Sequence, residues 1–220
     1  YKYITDLAMK LNSLKLIQTP SAGTDWLEKS KLYEMGVSVS NNGGGNAVAV
    51  AEHAIALMFA VNRKFDLQIS NVKSGNYQDF AIPDLMDNIK FTNNKPSTYT
   101  PGTWNRKEYH TLVGKKVGII GLGRIGKSIS IILRNLGFKI LTFDKRSDNK
   151  KKLNYLLKES DIISFHIDAE SNLNFLDKKK LKLCKKNVSI INTSRGEIVN
   201  EKDLINFLKK NKDSSAFIDV

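Results

Sequence analysis

The sequence predicts an α/β protein built on a doubly wound parallel sheet. Three observations predict it. From residue 112 onward, short β-branched and apolar runs alternate with helical stretches, and five strands fit before residue 220. The first of these strands runs directly into a glycine-rich turn, Gly121-Leu122-Gly123-Arg124-Ile125-Gly126. At 220 residues and 41% hydrophobic, the chain can bury a real core in one large domain or two small ones.

Taken in order, residues 14–18 read as a short strand, followed by a turn with Pro20 and Gly23. Residues 26–35 read as a helix, with Asp25 as N-cap and Gly36 as stop. Residues 37–40 form the next strand. Three glycines, 43–45, make a loop, and Asn46 can cap a long helix running from Ala47 to about Val72. Alanines on that helix allow close backbone approach, which predicts burial between two units. Residues 73–109 hold three of the four prolines and no sustained periodicity. They read as an arm that packs on another subunit, because Phe80, Ile82, Leu85, Met86, Phe91 and Trp104 would otherwise be exposed. The alternation then gives strands at 116–120, 139–143, 162–165, 188–191 and 216–218. Helices lie between them at 124–136, 150–158, 177–183 and 201–209.

The formal charge of +13 raises nucleic acid as a partner. The lysines, however, sit in short clusters spread along the chain (150–152, 178–180, 185–186, 209–210) without interleaved aromatics. They read as solvated helix faces, and nucleic-acid binding is not expected. One cysteine, Cys184, excludes an internal disulfide and fits a reducing compartment; it reads as a helix residue without a chemical role. No signal peptide opens the chain. The longest apolar stretch, 47–61, carries Glu52 and His53 and is too short and interrupted to span a bilayer. The reading is therefore cytoplasmic, with no membrane partner and no metal site. A first residue Tyr1 and an apolar end, "AFIDV", predict an internal piece of a longer protein.

The glycine turn sits between a strand and a helix. Gly121 permits the tight turn, Gly123 lets backbone approach a pyrophosphate, and Gly126 lets helix pack closely on strand. The helix N-terminus adds amide donors and a favourable dipole. After Gly126 come seventeen residues and then Asp144, at the end of the next strand. A carboxylate there accepts from adenosine ribose hydroxyls and repels a 2′-phosphate, so NAD is favoured over NADP. Arg146, close by, could accept a phosphate. Further on, "VSIINTSRGEIVN" ends a buried strand in Thr193, Ser194, Arg195 and Gly196. That places Arg195 at the carboxyl edge of the sheet, where ligands of such folds bind.

With these residues in view, the chain resembles the D-isomer-specific 2-hydroxyacid dehydrogenases. Three segments carry the likeness: "LKLIQTPSAGTDWLE" with "GVSVSNNGGGNAVAVAEHAIALMFAVNR"; "LVGKKVGIIGLGRIGKSISIILRNLGFKILTFDK"; and the region from "SDIISFHIDAE" to "AFIDV". The resemblance implies a Rossmann-type NAD domain at 47–220 and, at 1–46, the end of a flavodoxin-like substrate domain. It implies hydride transfer between NAD and a small D-2-hydroxy or 2-oxo acid, and a homodimer. Backbone amides around Ala22 and Gly23 would hold the substrate carboxylate. Gly121, Gly123, Arg124, Ile125 and Gly126 would face the dinucleotide phosphates. Asp144 would hold the adenosine ribose, and Ile167 would line the adenine side. Thr193, Ser194 and Arg195 would flank the nicotinamide, with Asp219 near the carboxamide or nicotinamide ribose. Arg195 would be the substrate-binding and catalytic arginine. The acid/base histidine and its glutamate partner would lie beyond Val220.

His166-Ile167-Asp168 departs from the family's frequent His-x-Pro, which bears on the adenine-side contacts. His53 reads as a packed, hydrogen-bonded structural histidine, His110 as a surface residue, and His166 as structural or cofactor-adjacent. A non-catalytic NAD-sensing interaction protein on the same fold is the alternative; absence of the downstream glutamate and histidine would favour it.

Overall fold

The computed structural model describes residues 2–8, 10–20, 22–24, 26–74, 112 and 114–220. Asp25, His110 and residues 75–109 of the expected arm lie outside the described residues.

The chain opens with a helix that the sequence reading did not anticipate, α1 (Lys2–Ala8), then β1 (Leu16–Thr19), α2 (Lys29–Glu34) and β2 (Ser38–Asn41). β1 and β2 pair in parallel, Leu16 opposite Ser38. Ala8, Leu27, Leu32 and Val37 form their buried core, with Trp26 and Val39 packed against it. α2 begins three residues later than expected. Leu27 N–H turns back to the Thr24 carbonyl and Trp26 Nε1 donates to the Gly23 carbonyl, so this stretch is a turn rather than a helix start. Gly36 stops α2 as expected. It adopts φ +71°, and Val37 N–H reaches back to the Leu32 carbonyl.

The single helix expected from Ala47 to about Val72 is two helices, α3 (Ala47–Arg63) and α4 (Phe65–Lys73). Lys64 separates them in the left-handed region, φ 52°. Its amide still donates to Ala60 and Val61, which ends α3 cleanly. The break falls where the buried stripe of α3 runs out: Ala47, Ala51, Ala54, Met58 and Val61 are buried, whereas Phe65, Ile69 and Val72 are exposed. Asn46 precedes α3 without a side-chain capping bond, contrary to expectation.

Five parallel strands follow: β3 (Lys116–Ile120), β4 (Lys139–Phe143), β5 (Ile162–Phe165), β6 (Ser189–Asn192) and β7 (Ser215–Ile218). Their order is β4-β3-β5-β6-β7. The connecting helices are α5 (Arg124–Asn135), α6 (Lys150–Glu159), α7 (Lys178–Leu181) and α8 (Glu201–Lys210), with a 3₁₀ turn at Gly196–Ile198. Asn149, Asp177 and Asn200 cap α6, α7 and α8 through their side chains. Cys184 lies three residues beyond α7 rather than within a helix. It is buried, its thiol donates to the Lys180 carbonyl, and burial pushes its pKa up to about 12. Such a thiol is unreactive at neutral pH.

The strand order explains how the helices are distributed. Crossovers between parallel strands are right-handed, so the chain's reversal after β4 puts α5 on one face and the helices that follow it on the other. α6, α7 and α8 cover one face, where Leu153, Leu156, Leu157, Leu181 and Leu204 meet Ile120, Ile163, Phe165 and Ile190. α5 covers only part of the other face. α3 covers the remainder, packing on α5 and against β6 and β7. Ala51, Ala54 and Met58 there join Val117, Ile119, Ile129, Leu133, Ile162 and Ile191. Alternate residues of each strand feed the two cores, as a sheet buried on both faces requires.

Candidate active site

The carboxyl ends of β3, β5 and β6 converge at the point where strand order reverses, between β3 and β5. Gly121 leaves β3 with φ +97°. Its N–H donates to the Phe143 carbonyl, and a Cβ at Gly121 would overlap the carbonyl of His166. A Cβ at Gly126 would overlap the carbonyl oxygen of Gly121. These two glycines bring α5 and the end of β5 hard against the loop. Gly123 differs, since a Cβ there would meet nothing within 4 Å. The backbone at Gly123, the N-cap of α5, therefore faces open space.

Beside this loop lies a cleft of about 490 Å³. Ala22, Gly23 and Thr24 line one side of it, and Thr193, Ser194 and Arg195 line another; Ile125, His166 and Ile167 also contribute. An adjoining cavity of about 330 Å³ is lined by Gly123, Arg124, Ile125, Ala22 and the 43–47 loop. Arg124 lies over this glycine-rich loop, with its guanidinium against Gly44. Ala22, Gly23, Gly123, Arg124, Ile125, Ile167, Thr193, Ser194 and Arg195 are thus brought together around one continuous opening. Gly121 and Gly126 shape its floor without lining it. Asp144 and Asp219 are not among the lining residues.

Asp144 is buried and accepts from the Leu122 N–H at 3.2 Å and the Arg146 N–H at 3.0 Å. Arg146 also grips both its oxygens through Nε (2.9 Å) and Nη2 (2.6 Å). That guanidinium holds the Asp144 carboxyl far below the usual carboxylate range. The sequence alone leaves this carboxylate open to a ribose; in the structure Arg146 already holds both its oxygens. The Arg146 side chain is 80% exposed, so water can solvate it once it swings away.

Arg195 is positioned by its main chain. The fully buried Asn192 donates through Nδ2 to the Arg195 carbonyl at 2.8 Å and accepts from the Ser194 N–H at 3.0 Å. Ser194 Oγ donates to the Phe165 carbonyl, fastening the β6 end to β5. Thr193 Oγ1 is buried without a hydrogen-bond partner, the one such side-chain atom among the described residues. An orphaned hydroxyl in a cleft fits a ligand that brings a donor or acceptor to it.

Sequence reasoning missed five contributors. Asn192 read only as a small polar residue at a strand end. Asn41 and Trp26 hold the carbonyls of Ala22 and Gly23 at 3.1 Å each, fixing that loop. Lys29 and Glu170 pair at 3.0 Å across the cleft, linking α2 to the segment after β5. None leaves a motif: Asn41 and the Lys29–Glu170 pair act across long stretches of sequence, and Trp26 and Asn192 bond backbone groups three residues away that only the folded turns bring within reach. His53, read as packed, has a side chain 48% exposed, and its Nε2 lies 2.9 Å from Asp219 Oδ2.

His166 Nε2 lies 2.8 Å from Ser164 Oγ, and burial pushes its pKa down to about 4. Between an unfolded value of 6.5 and about 4, the unfolded chain holds a proton that the folded chain refuses. This group therefore costs stability as pH falls through that window. Urea unfolding from pH 7 to pH 4 should show a shallower loss for His166→Gln than for the wild type. Parallel curves would mean that His166 takes up its proton as readily in the folded chain as in the unfolded one.

A nucleotide-binding α/β sheet with a glycine turn, an acidic residue closing β4 and an arginine at the end of β6 defines a dinucleotide-dependent class of protein. Residues 55–220 match the family described as D-isomer specific 2-hydroxyacid dehydrogenase, NAD binding domain. The chain belongs to that family, and this region is its NAD-binding domain. It is 30% identical to a glycerate dehydrogenase of Methylorubrum extorquens over 225 residues, which is 98% of this chain and 63% of that protein. It is 28% identical to a D-3-phosphoglycerate dehydrogenase of Archaeoglobus fulgidus, over 100% of this chain and 39% of that one. Among solved structures, D-mandelate dehydrogenase of Rhodotorula graminis superposes with a TM-score of 0.76 at 26% identity, covering 98% of this chain and 61% of that one. The chain thus spans less than two-thirds of these relatives. Among the described residues no helix is long and apolar enough to cross a membrane.

Proposed function

We propose that the complete protein is an NAD-dependent oxidoreductase moving a hydride between nicotinamide and C2 of a small D-2-hydroxy or 2-oxo acid. One observation carries this reading: Arg195 and the Ala22–Gly23 loop line the same cleft as Thr193 and Ser194. A guanidinium and a pair of backbone amides are complementary to a carboxylate next to a carbonyl. Bound NADH supplies the hydride. Arg195 grips the carboxylate and polarises the carbonyl, where negative charge grows in the transition state. The amides of Ala22 and Gly23 hold the same carboxylate. Asn192 keeps the Arg195 backbone fixed, so little reorganisation is needed as charge develops. The amides at Gly123, Arg124 and Ile125 face the pyrophosphate, and Asp144 takes the adenosine ribose. The accompanying proton is assigned to the histidine–glutamate pair that the resemblance implies.

The test is direct. The complete protein, mixed with NADH and glyoxylate, hydroxypyruvate, pyruvate or phosphohydroxypyruvate, should oxidise NADH with at least one of them, and faster than NADPH. NADH binding without turnover on any 2-oxo acid would sink this reading. The same proposal places the protein in the cytoplasm as a homodimer. A monomer in light scattering would contradict the dimer.

A further inference from the structure

We propose that His53 is a positioning residue for the nicotinamide half of the site, acting through Asp219. The inference rests on the functional reading above and adds to it a side chain from α3. Asn46 and Val50 line the cleft. His53 lies one turn beyond Val50 on the same helical face, a spacing of three residues. Its Nε2 sits 2.9 Å from Asp219 Oδ2, one residue past the end of β7.

Asp219 is in turn linked to the cleft. Its backbone N–H donates to the Asn192 carbonyl at 3.0 Å, and the Asn192 side chain donates to the Arg195 carbonyl at 2.8 Å. Asn192 is fully buried, so the backbones of Arg195 and Asp219 are held in one frame. The Asp219 carboxylate is different. It stands on a side chain 62% exposed, with rotamers to choose among. His53 selects one of them. With Oδ2 engaged by His53, Oδ1 offers an acceptor for an N–H or O–H donor, the chemistry of a carboxamide amino group or a ribose hydroxyl.

The exposure of the pair also says what it does not do. A surface contact this open adds little to folding, so its effect should appear in ligand affinity rather than stability. The helix supplying His53 also supplies the buried stripe against β6 and β7, so the imidazole has a rigid base. The sequence separation of the two residues, 53 and 219, hides this partnership from any local reading.

The experiment uses the complete protein as wild type, His53→Ala, His53→Gln, Asp219→Asn and the His53→Ala/Asp219→Asn double variant. NADH affinity is read by fluorescence titration, turnover by steady-state kinetics and folding by thermal melting. His53→Ala should weaken NADH binding by up to about fivefold, with kcat at saturating NADH and the melting temperature little changed. His53→Gln, whose amide can donate to Asp219, should recover most of the loss. Added to Asp219→Asn, His53→Ala should do nothing more. Wild-type NADH affinity in His53→Ala, a fall in melting temperature alone, or additive losses would each overturn the inference while leaving the dehydrogenase reading standing. Failure of the wild type to bind NADH would instead remove that reading and the inference with it.

Discussion

Arg195→Ala in the complete protein is expected to lower kcat/KM for the 2-oxo acid by about two to three orders of magnitude. NADH affinity should change far less. The guanidinium offers two parallel donors to a carboxylate or carbonyl, and its gain is largest when charge has moved onto the substrate oxygen. Nothing else in the cleft lining can replace it in that place: Lys29, the other cation there, already pairs with Glu170. Truncating the side chain removes the bond from Arg195 Nη1 to the Ser194 carbonyl (2.7 Å), but Asn192 still holds the Arg195 carbonyl and the Ser194 N–H, so the loop should stay in position. Arg195→Lys should recover only part of the loss, since an ammonium keeps the charge without the planar fork. Stopped-flow or steady-state assays with saturating NADH separate these effects. A kcat/KM within threefold of wild type for Arg195→Ala would remove the arginine from the reaction.

Gly121→Ala is the second large effect, this time on stability. The residue holds φ +97°, where a Cβ costs about 1–2 kcal/mol. That Cβ would also overlap the His166 carbonyl, which is backbone and cannot step aside. Overpacking of this kind costs about 1–3 kcal/mol. The sum, about 2–5 kcal/mol, is a large part of a typical domain's margin. Urea unfolding should show it as a lowered midpoint with an unchanged slope. Gly123→Ala is the matched control. Its Cβ would enter open space, so the midpoint should hold while NADH affinity falls. If both substitutions destabilise alike, the loop is not divided into a packing glycine and a ligand-facing one.

Much of the sheet was readable from local signals. β3, β4 and β5 fall at 116–120, 139–143 and 162–165 as the alternation of apolar runs predicts, because strands buried on both faces leave continuous apolar stretches. The glycine turn and Asp144 were readable because their spacing reflects the length of one strand–helix–strand unit. The break at Lys64 was not readable. The stretch "VNRKFD" has neither glycine nor proline, and the helix stops because its packing surface stops. Asn192 could not be told from its polar neighbours until β5 and β7 were placed on either side of it. The grip of Arg146 on Asp144 lies only two residues apart in sequence, yet sequence alone does not say whether a carboxylate faces a ligand or its own neighbour.

The covering of one sheet face by α3 has a consequence for how the chain comes off the ribosome. Met58 is made about 130 residues before Ile191, which joins the same buried cluster. At typical synthesis rates, roughly ten seconds separate the two. Through that interval the alanine-rich stripe of α3 can be covered only in part, by α5 and the first strands. The residues that rank among the most buried of the finished protein are among those that wait longest to be covered. A holding chaperone would find its target there, on the buried face of α3.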